Sequence, residues 1–487
     1  MNFEELMREK ILVYDGSKGY LLMQKGLAPG DYPDLWNLDH PGAVHDIHRA
    51  YIDAGADVIQ TNTLQASRFH MEAKGLYDKQ ADINRAGVGL AKRAAGGRAL
   101  VAASIGPLGT LMAPFGETGF DEVYAAFYEQ IGVLLDSGAD ILHFETFTDL
   151  SELRIAVLAA KDLDYRAPII ATISIEQNGR TVMGDDAACA AASLAMLGAS
   201  CAGANCGLAP REMLAKFGPF TAFGNPLCSK PNAGAPVVSG GIVNYSATKE
   251  EFYDTAFGFA RFGARLIGGC CGSGPEHVQS LRDAADIMNS NAEYNFSDVV
   301  GDAPANKDIV KLYSHGSSAA FSRSAIIEYA SDATQRMAGR PAPGATSSAK
   351  SCEPEFYESH DGKMLTVDIA GMLNERRADA DKIVEVLSDA AEMDAEATIF
   401  SLITKGRFGG MGNENAGSGG ARELLGMVAS NARAYHNKPA LFHTDDMEAL
   451  NSALRQYCGA PAILARHADE KQARTAAGHL SPVVITI

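Results

Sequence analysis

Between residues 11 and 272, short apolar runs alternate with longer amphipathic stretches. The runs lie at 11–14, 58–63, 100–105, 141–146, 169–175, 202–206, 221–224 and 265–270, each bounded by Gly, Pro or polar residues. Continuous apolar runs of this length suit strands buried on both faces. Between them, 44–54, 121–137, 151–160 and 249–262 repeat apolar residues at helical spacing. Eight strands alternating with helices over about 250 residues is the arithmetic of a (β/α)8 TIM barrel. A doubly wound open sheet would alternate too, but eight repeats favour closure.

Polar residues follow the apolar runs rather than precede them. The ends read Asp15-Gly16-Ser17, Thr61-Asn62-Thr63, Ser104-Ile105-Gly106-Pro107, Phe144-Glu145-Thr146, Ser174-Ile175-Glu176, Asn205-Cys206-Gly207, Gly224-Asn225-Pro226 and Cys270-Cys271-Gly272. Barrel enzymes draw their sites from the C-terminal ends of strands, so these residues are expected around one mouth.

Past residue 290 the pattern changes. A helix over 322–337 is expected to run into a Pro/Gly/Ser/Ala stretch at 338–348. The span 291–355 therefore reads as a linker with a helical segment. Alternation then returns, with strands at 364–369, 398–403, 440–443, 462–465 and 483–487. Helices at 379–395, 421–435, 447–457 and 470–478 separate them. The expected organisation is a barrel over 1–290, a linker over 291–355 and a smaller α/β domain over 356–487, with too few strands for a barrel of its own.

Composition narrows the function classes. A net charge of -18 over 487 residues argues against nucleic acid and anionic membranes as partners. No apolar stretch approaches the ~20 residues that span a bilayer. Met1 to Lys10 mix Glu, Arg and Lys, so no signal peptide is expected there. Eight widely spread cysteines do not form a disulfide framework in so large a chain, and a cytoplasmic location is expected.

Three of those cysteines stand apart. Cys206, Cys270 and Cys271 sit in glycine-flanked segments at strand ends. Three thiolates are a zinc ligand set that leaves the fourth tetrahedral position open. Neighbours on a regular strand point to opposite faces, so the backbone must leave the strand for Cys270 and Cys271 to share a metal. Gly268, Gly269 and Gly272 permit that. Buried apolar thiols and a disulfide between adjacent cysteines are the alternatives. Cys189, Cys201, Cys228, Cys352 and Cys458 read as structural.

Taken together, Asp15-Gly16-Ser17, Thr61-Asn62-Thr63, Ser104-Ile105-Gly106-Pro107, Glu145-Thr146, Gly203-Ala204-Asn205-Cys206-Gly207, Pro231-Asn232-Ala233-Gly234-Ala235-Pro236 and Gly268-Gly269-Cys270-Cys271-Gly272 resemble the homocysteine S-methyltransferase family. Within it, residues 1–290 are similar to the homocysteine-binding barrel of cobalamin-dependent methionine synthases. The resemblance implies that Cys206, Cys270 and Cys271 bind Zn2+. It implies that Asp15 and Glu145 take the substrate's ammonium, and that backbone N–H groups around Gly16 and Ser17 meet its carboxylate. A plain turn at Asp15-Gly16, and a Glu145 paired with an arginine such as Arg154, are the bland alternatives. Asn62, Ser104 and Asn232 are expected as scaffolding of the mouth or around the substrate. One departure is Lys18, where the family commonly has methionine.

The second domain is weakly similar to part of a folate-binding barrel, in the run Lys438-Pro439-Ala440-Leu441-Phe442-His443 and the helix after it. Asp46-Ile47-His48 starts like a corrinoid-binding pattern, but Tyr51 replaces its glycine. The glycines at 406–412 and 417–420 read as a solvated loop. The expected activity is zinc-dependent methyl transfer to the thiol of homocysteine, giving methionine, with methylcobalamin on a partner corrinoid protein as donor. The alternatives are a corrinoid-linked methyltransferase acting on another thiol or methylated substrate, and a non-catalytic assembly module for a corrinoid protein.

Overall fold

The computed structural model describes residues 2–291, apart from positions 29, 114, 165, 225, 240 and 241, and beyond them the strand and helix segments between 309 and 486. The chain divides into two compact units, one of Met1–Ala195 and Ala199–Asp302, the other of the remaining residues.

Eight parallel strands build the first unit: β1 (Leu12–Val13), β2 (Val58–Gln60), β3 (Leu100–Ile105), β4 (Ile141–Phe147), β5 (Ile169–Ile173), β6 (Cys201–Asn205), β7 (Leu227–Lys230) and β8 (Ala264–Ile267). Each pairs with the next, and β8 pairs with β1. A bridge between Tyr14 and Val58 joins β1 to β2 and completes the ring. This is the (β/α)8 TIM barrel that the alternation predicts. Leu12, Val58, Ala102, Ile141, Ile170, Cys201, Cys228 and Leu266, one from each strand, form a buried interior layer. Phe3 and Met7 of the helix Phe3–Glu9 pack against it. Each large apolar side chain buried there contributes about 1.5–3 kcal/mol. Cys201 and Cys228 are thus core residues, and Cys189 is buried as well.

The helices follow the sequence pattern closely, as Pro41–Asp53, Phe120–Asp136, Leu150–Leu163 and Lys249–Arg261. Local caps set their starts. The Asp149 carboxylate accepts from the N–H groups of Ser151 and Glu152, and Thr248 caps the helix that follows it.

The seventh strand is a correction. Residues 221–224 do not form it; Gly218–Phe223 is a 3-10 helix that buries Phe220 and Phe223 three residues apart, and Gly224 ends it at φ 71°. The strand is Leu227–Lys230, a Leu-Cys-Ser-Lys run whose polar half is fully buried. An apolar-run criterion passes over such a segment, because its lysine is satisfied inside the barrel rather than by water.

The second unit holds a six-stranded sheet: β9 (Glu355–Glu358), β10 (Met364–Asp368), β11 (Ala397–Leu402), β12 (Ala440–Thr444), β13 (Ala462–Ala465) and β14 (Val483–Thr486). β10 to β14 are parallel and add in sequence order, with β9 antiparallel at the edge. Strand order never reverses, so the sheet has no topological switch point. Within 291–355, Ile309–Ser314 pairs antiparallel with Ser318–Ser322. Beyond Ser322, the helix expected at 322–337, the linker expected at 338–348, the loop expected at 406–412, Cys352 and Cys458 lie outside the described residues, whereas 418–420, also read as loop, open the helix Ser418–Tyr435.

Candidate active site

The three singled-out cysteines meet at the C-terminal mouth of the barrel. β8 stops at Ile267, and a turn follows in which the Ser273 N–H and hydroxyl both donate to the Cys270 carbonyl, at 3.1 and 2.7 Å. The backbone leaves the strand before the adjacent cysteines, as a shared site demands. Cys206, just past β6, has a left-handed backbone at φ 64°. Thr146 is the other described non-glycine residue in that region, and Asn205 ties the two strand ends together. Its amide Nδ2 donates to Thr146 Oγ1 at 2.8 Å, and its Oδ1 accepts from the Thr146 N–H at 2.7 Å. Strained residues persist where surrounding structure over-determines them, and they cluster at functional sites.

The three Sγ atoms lie within 4.8 Å of one another, Cys206 and Cys271 at 3.8 Å. All are partly exposed. Asn232 Oδ1 accepts the Cys271 N–H at 3.1 Å, and Asn205 Nδ2 lies 3.6 Å from Cys270 Sγ. Hydrogen bonds from Cys270 and Cys271, with help from Gly207 N–H and Asn232, hold the Cys206 thiol down at about 3. The same cluster raises Cys270, and raises Cys271 to about 12. One thiolate is stable there alone; three need a cation among them. Sulfur donors, their spacing and an open approach fit Zn2+ with one position left for a ligand. No other cluster of three such groups occurs among the described residues.

Behind the cysteines, the barrel interior carries four charged groups. Asp15 and Lys18 flank the end of β1; Glu145 and Lys230 come from β4 and β7. All four side chains are at least nine-tenths buried. Lys230 Nζ donates to Gln60 Oε1, lies 3.4 Å from Glu145 Oε2 and sits 4.0 Å over the Tyr14 ring. The Ser104 hydroxyl donates to the other Glu145 oxygen. Burial would raise the Glu145 carboxyl, but Lys230 and its neighbours outweigh that and hold it at about 2. Burial would likewise lower Lys230, and Glu145 and Asp15 reverse the shift. The second pair is looser. Lys18 Nζ is 3.6 Å from Asp15 Oδ2, and burial moves Asp15 up and Lys18 down despite their attraction.

The remaining expected residues are also at the mouth. Gly16 packs against the cysteine turn so closely that a Cβ would fall 2.7 Å from the Ser273 carbonyl oxygen. The Ser17 N–H donates to that same oxygen at 3.0 Å. Asn62 is occupied by scaffolding, donating to the Pro33 carbonyl at 2.8 Å and to Asn37 Oδ1 at 3.1 Å. Glu145 is paired with Lys230. Sequence reading missed Lys230 and Gln60 as parts of the site. Lys230 was hidden by the misplaced seventh strand, although a lysine directly before Pro231-Asn232 was a signal. Tyr245, which stacks edge-on with Tyr20 and covers Gly272, was missed too.

Known proteins are similar to part of this chain. The chain is 30% identical over 303 residues to methionine synthase of Mycobacterium leprae (strain TN), covering 58% of this chain and 25% of the relative. The methionine synthase of Mycobacterium tuberculosis (strain ATCC 25618 / H37Rv) matches to the same extent. The chain thus spans about a quarter of the length of these curated relatives. Among solved structures, the metallated homocysteine methyltransferase MmuM from Escherichia coli is 24% identical at a TM-score of 0.49, covering 58% of this chain and 98% of that one. The family model for homocysteine S-methyltransferase matches residues 12–285, more than half of the chain. This chain belongs to the homocysteine S-methyltransferase family.

Proposed function

We propose that the barrel transfers a methyl group to the thiol of homocysteine, giving methionine, with Cys206, Cys270 and Cys271 holding Zn2+. The observation that carries this reading is the convergence of three sulfurs from two strand ends within 4.8 Å at the open end of the barrel. Zn2+ held by three thiolates supplies one open coordination position at which a thiol becomes acidic. The chain's own residues do the rest. Asn232 and Asn205 fix the two cysteine segments, so the ligand set is organised before any ligand arrives. Asp15 takes the substrate ammonium through its open oxygen. Glu145, which shares its charge with Lys230, adds negative potential behind it. Orientation is the protein's main catalytic contribution.

Metal analysis tests the ligand set. Zinc-loaded protein should carry one zinc per chain, and Cys206→Ser, Cys270→Ser or Cys271→Ser should lose zinc and activity while thermal unfolding stays cooperative. Full zinc retention in Cys271→Ser overturns the assignment.

For the donor, we infer methylcobalamin carried by a separate corrinoid protein, with 356–487 assisting its docking. The similarity to methionine synthases supports this reading. Deleting 356–487 should slow the protein-delivered reaction more than the reaction with free methylcobalamin. Equal losses, or turnover only with a small sulfonium donor, rule this out.

A further inference from the structure

Two buried polar atoms at the end of β1 have no hydrogen-bond partner among the described residues. One is Lys18 Nζ and the other is Asp15 Oδ1. Lys18 is 7% exposed and Asp15 is fully buried. Their 3.6 Å ion pair uses the other carboxylate oxygen, Oδ2, and is too long for a hydrogen bond. That Oδ2 already accepts the Gln60 N–H at 2.9 Å. An open ammonium and an open carboxylate oxygen therefore lie side by side. Buried polar groups in native proteins are almost always satisfied, so such a pair calls for a ligand with the reverse polarity. An α-amino acid, with its ammonium and carboxylate on one carbon, is that ligand.

Two neutral donors nearby, the Ser17 N–H and the Tyr51 hydroxyl, are engaged. The Ser17 N–H is bonded to the Ser273 carbonyl, and its hydroxyl accepts from the Tyr20 N–H at 3.3 Å. The Tyr51 hydroxyl lies 2.8 and 3.0 Å from the Ser17 and Ser273 carbonyl oxygens. The loop is also joined to the cysteine turn, since the Gly269 N–H donates to the Asp15 carbonyl at 3.2 Å. Lys18 senses the charges of Asp15, Glu145, Lys230 and Cys270, which places it in the same interior as the sulfurs.

We propose that Lys18 is a specificity-determining residue that binds the carboxylate of the thiol substrate, while Asp15 Oδ1 beside it takes the ammonium. This rests on the reading that the thiol is an amino acid. A lysine whose only task was to neutralise Asp15 would close a hydrogen bond with it. This one stands off and keeps all three donors for a ligand.

Calorimetric titration of the zinc-loaded full chain tests this with three thiols: L-homocysteine, 4-mercaptobutanoate, which lacks the ammonium, and 3-aminopropane-1-thiol, which lacks the carboxylate. Lys18→Met should weaken homocysteine and 4-mercaptobutanoate by about tenfold or more, the size of a lost ionic contact. It should leave 3-aminopropane-1-thiol within about twofold and zinc content unchanged, and Lys18→Arg should restore part of the loss. Equal weakening of all three thiols overturns the carboxylate role and leaves the amino-acid reading standing. Lys18-dependent binding of 4-mercaptobutanoate without binding of homocysteine overturns the amino-acid reading and upholds the carboxylate contact. Failure of every thiol to bind the unaltered protein overturns both.

Discussion

Replacing Lys230 by methionine is the sharpest test of the charge arrangement inside the barrel. Lys230 is fully buried and Glu145 is 3% exposed. Methionine keeps the unbranched stem over Tyr14 but removes the ammonium. Glu145 then retains the Ser104 hydroxyl and loses its close cation, and Gln60 Oε1 loses its donor. Removing one partner of a buried pair costs about 3–5 kcal/mol, because the other charge stays buried and uncompensated. In a barrel of this size that lowers the melting temperature by about 10 °C. The pH dependence carries a definite sign. Glu145 titrates at about 2 in the folded chain against an ordinary 4.5, so its stabilisation is full above 4.5 and is lost as pH falls toward 2. In Lys230→Met that gain is absent and burial drives the carboxyl upward. The stability gap should be widest at pH 7 and close as the solution is acidified. Thermal melts followed by near-UV circular dichroism measure it, and Glu145→Gln combined with Lys230→Met should regain most of the loss. A single variant melting within about 1 °C of the parent at pH 7, or a double variant no better than the single, refutes the argument.

Other outcomes follow from the same arrangement of buried charges and thiols. Without zinc the clustered thiols are free to oxidise, so peroxide should inactivate metal-free protein faster than zinc-loaded protein, with reductant plus zinc restoring it; equal rates contradict the cluster. Burial pushes the Glu152 carboxyl up to about 8, although it accepts the Leu108 N–H at 2.5 Å. A carboxyl raised on folding destabilises as pH climbs from 4.5 through 8, so Glu152→Gln should match the parent at pH 4 and melt higher at pH 8; the reverse order would refute the assignment.

The sequence by itself determined the barrel and picked out the three cysteines that meet at its mouth. Seven of its eight strands were legible as apolar runs, because a strand buried on both faces must be apolar and short. The helices between them were legible from their amphipathic spacing, and Cys206, Cys270 and Cys271 from residue type and flanking glycines. The same pattern reading identified five strands of the second unit. Only the tertiary structure decided the seventh strand and the charges beneath the mouth. Lys230 is charged yet buried, and what makes it tolerable is Glu145, Gln60 and Tyr14, supplied by or just past three other strands. A linear pattern records how water treats a side chain, and these side chains never meet water. For the same reason Lys18 was visible as an odd residue, but its lack of a hydrogen-bond partner was visible only once Asp15, Ser17 and the cysteine turn were brought together in space.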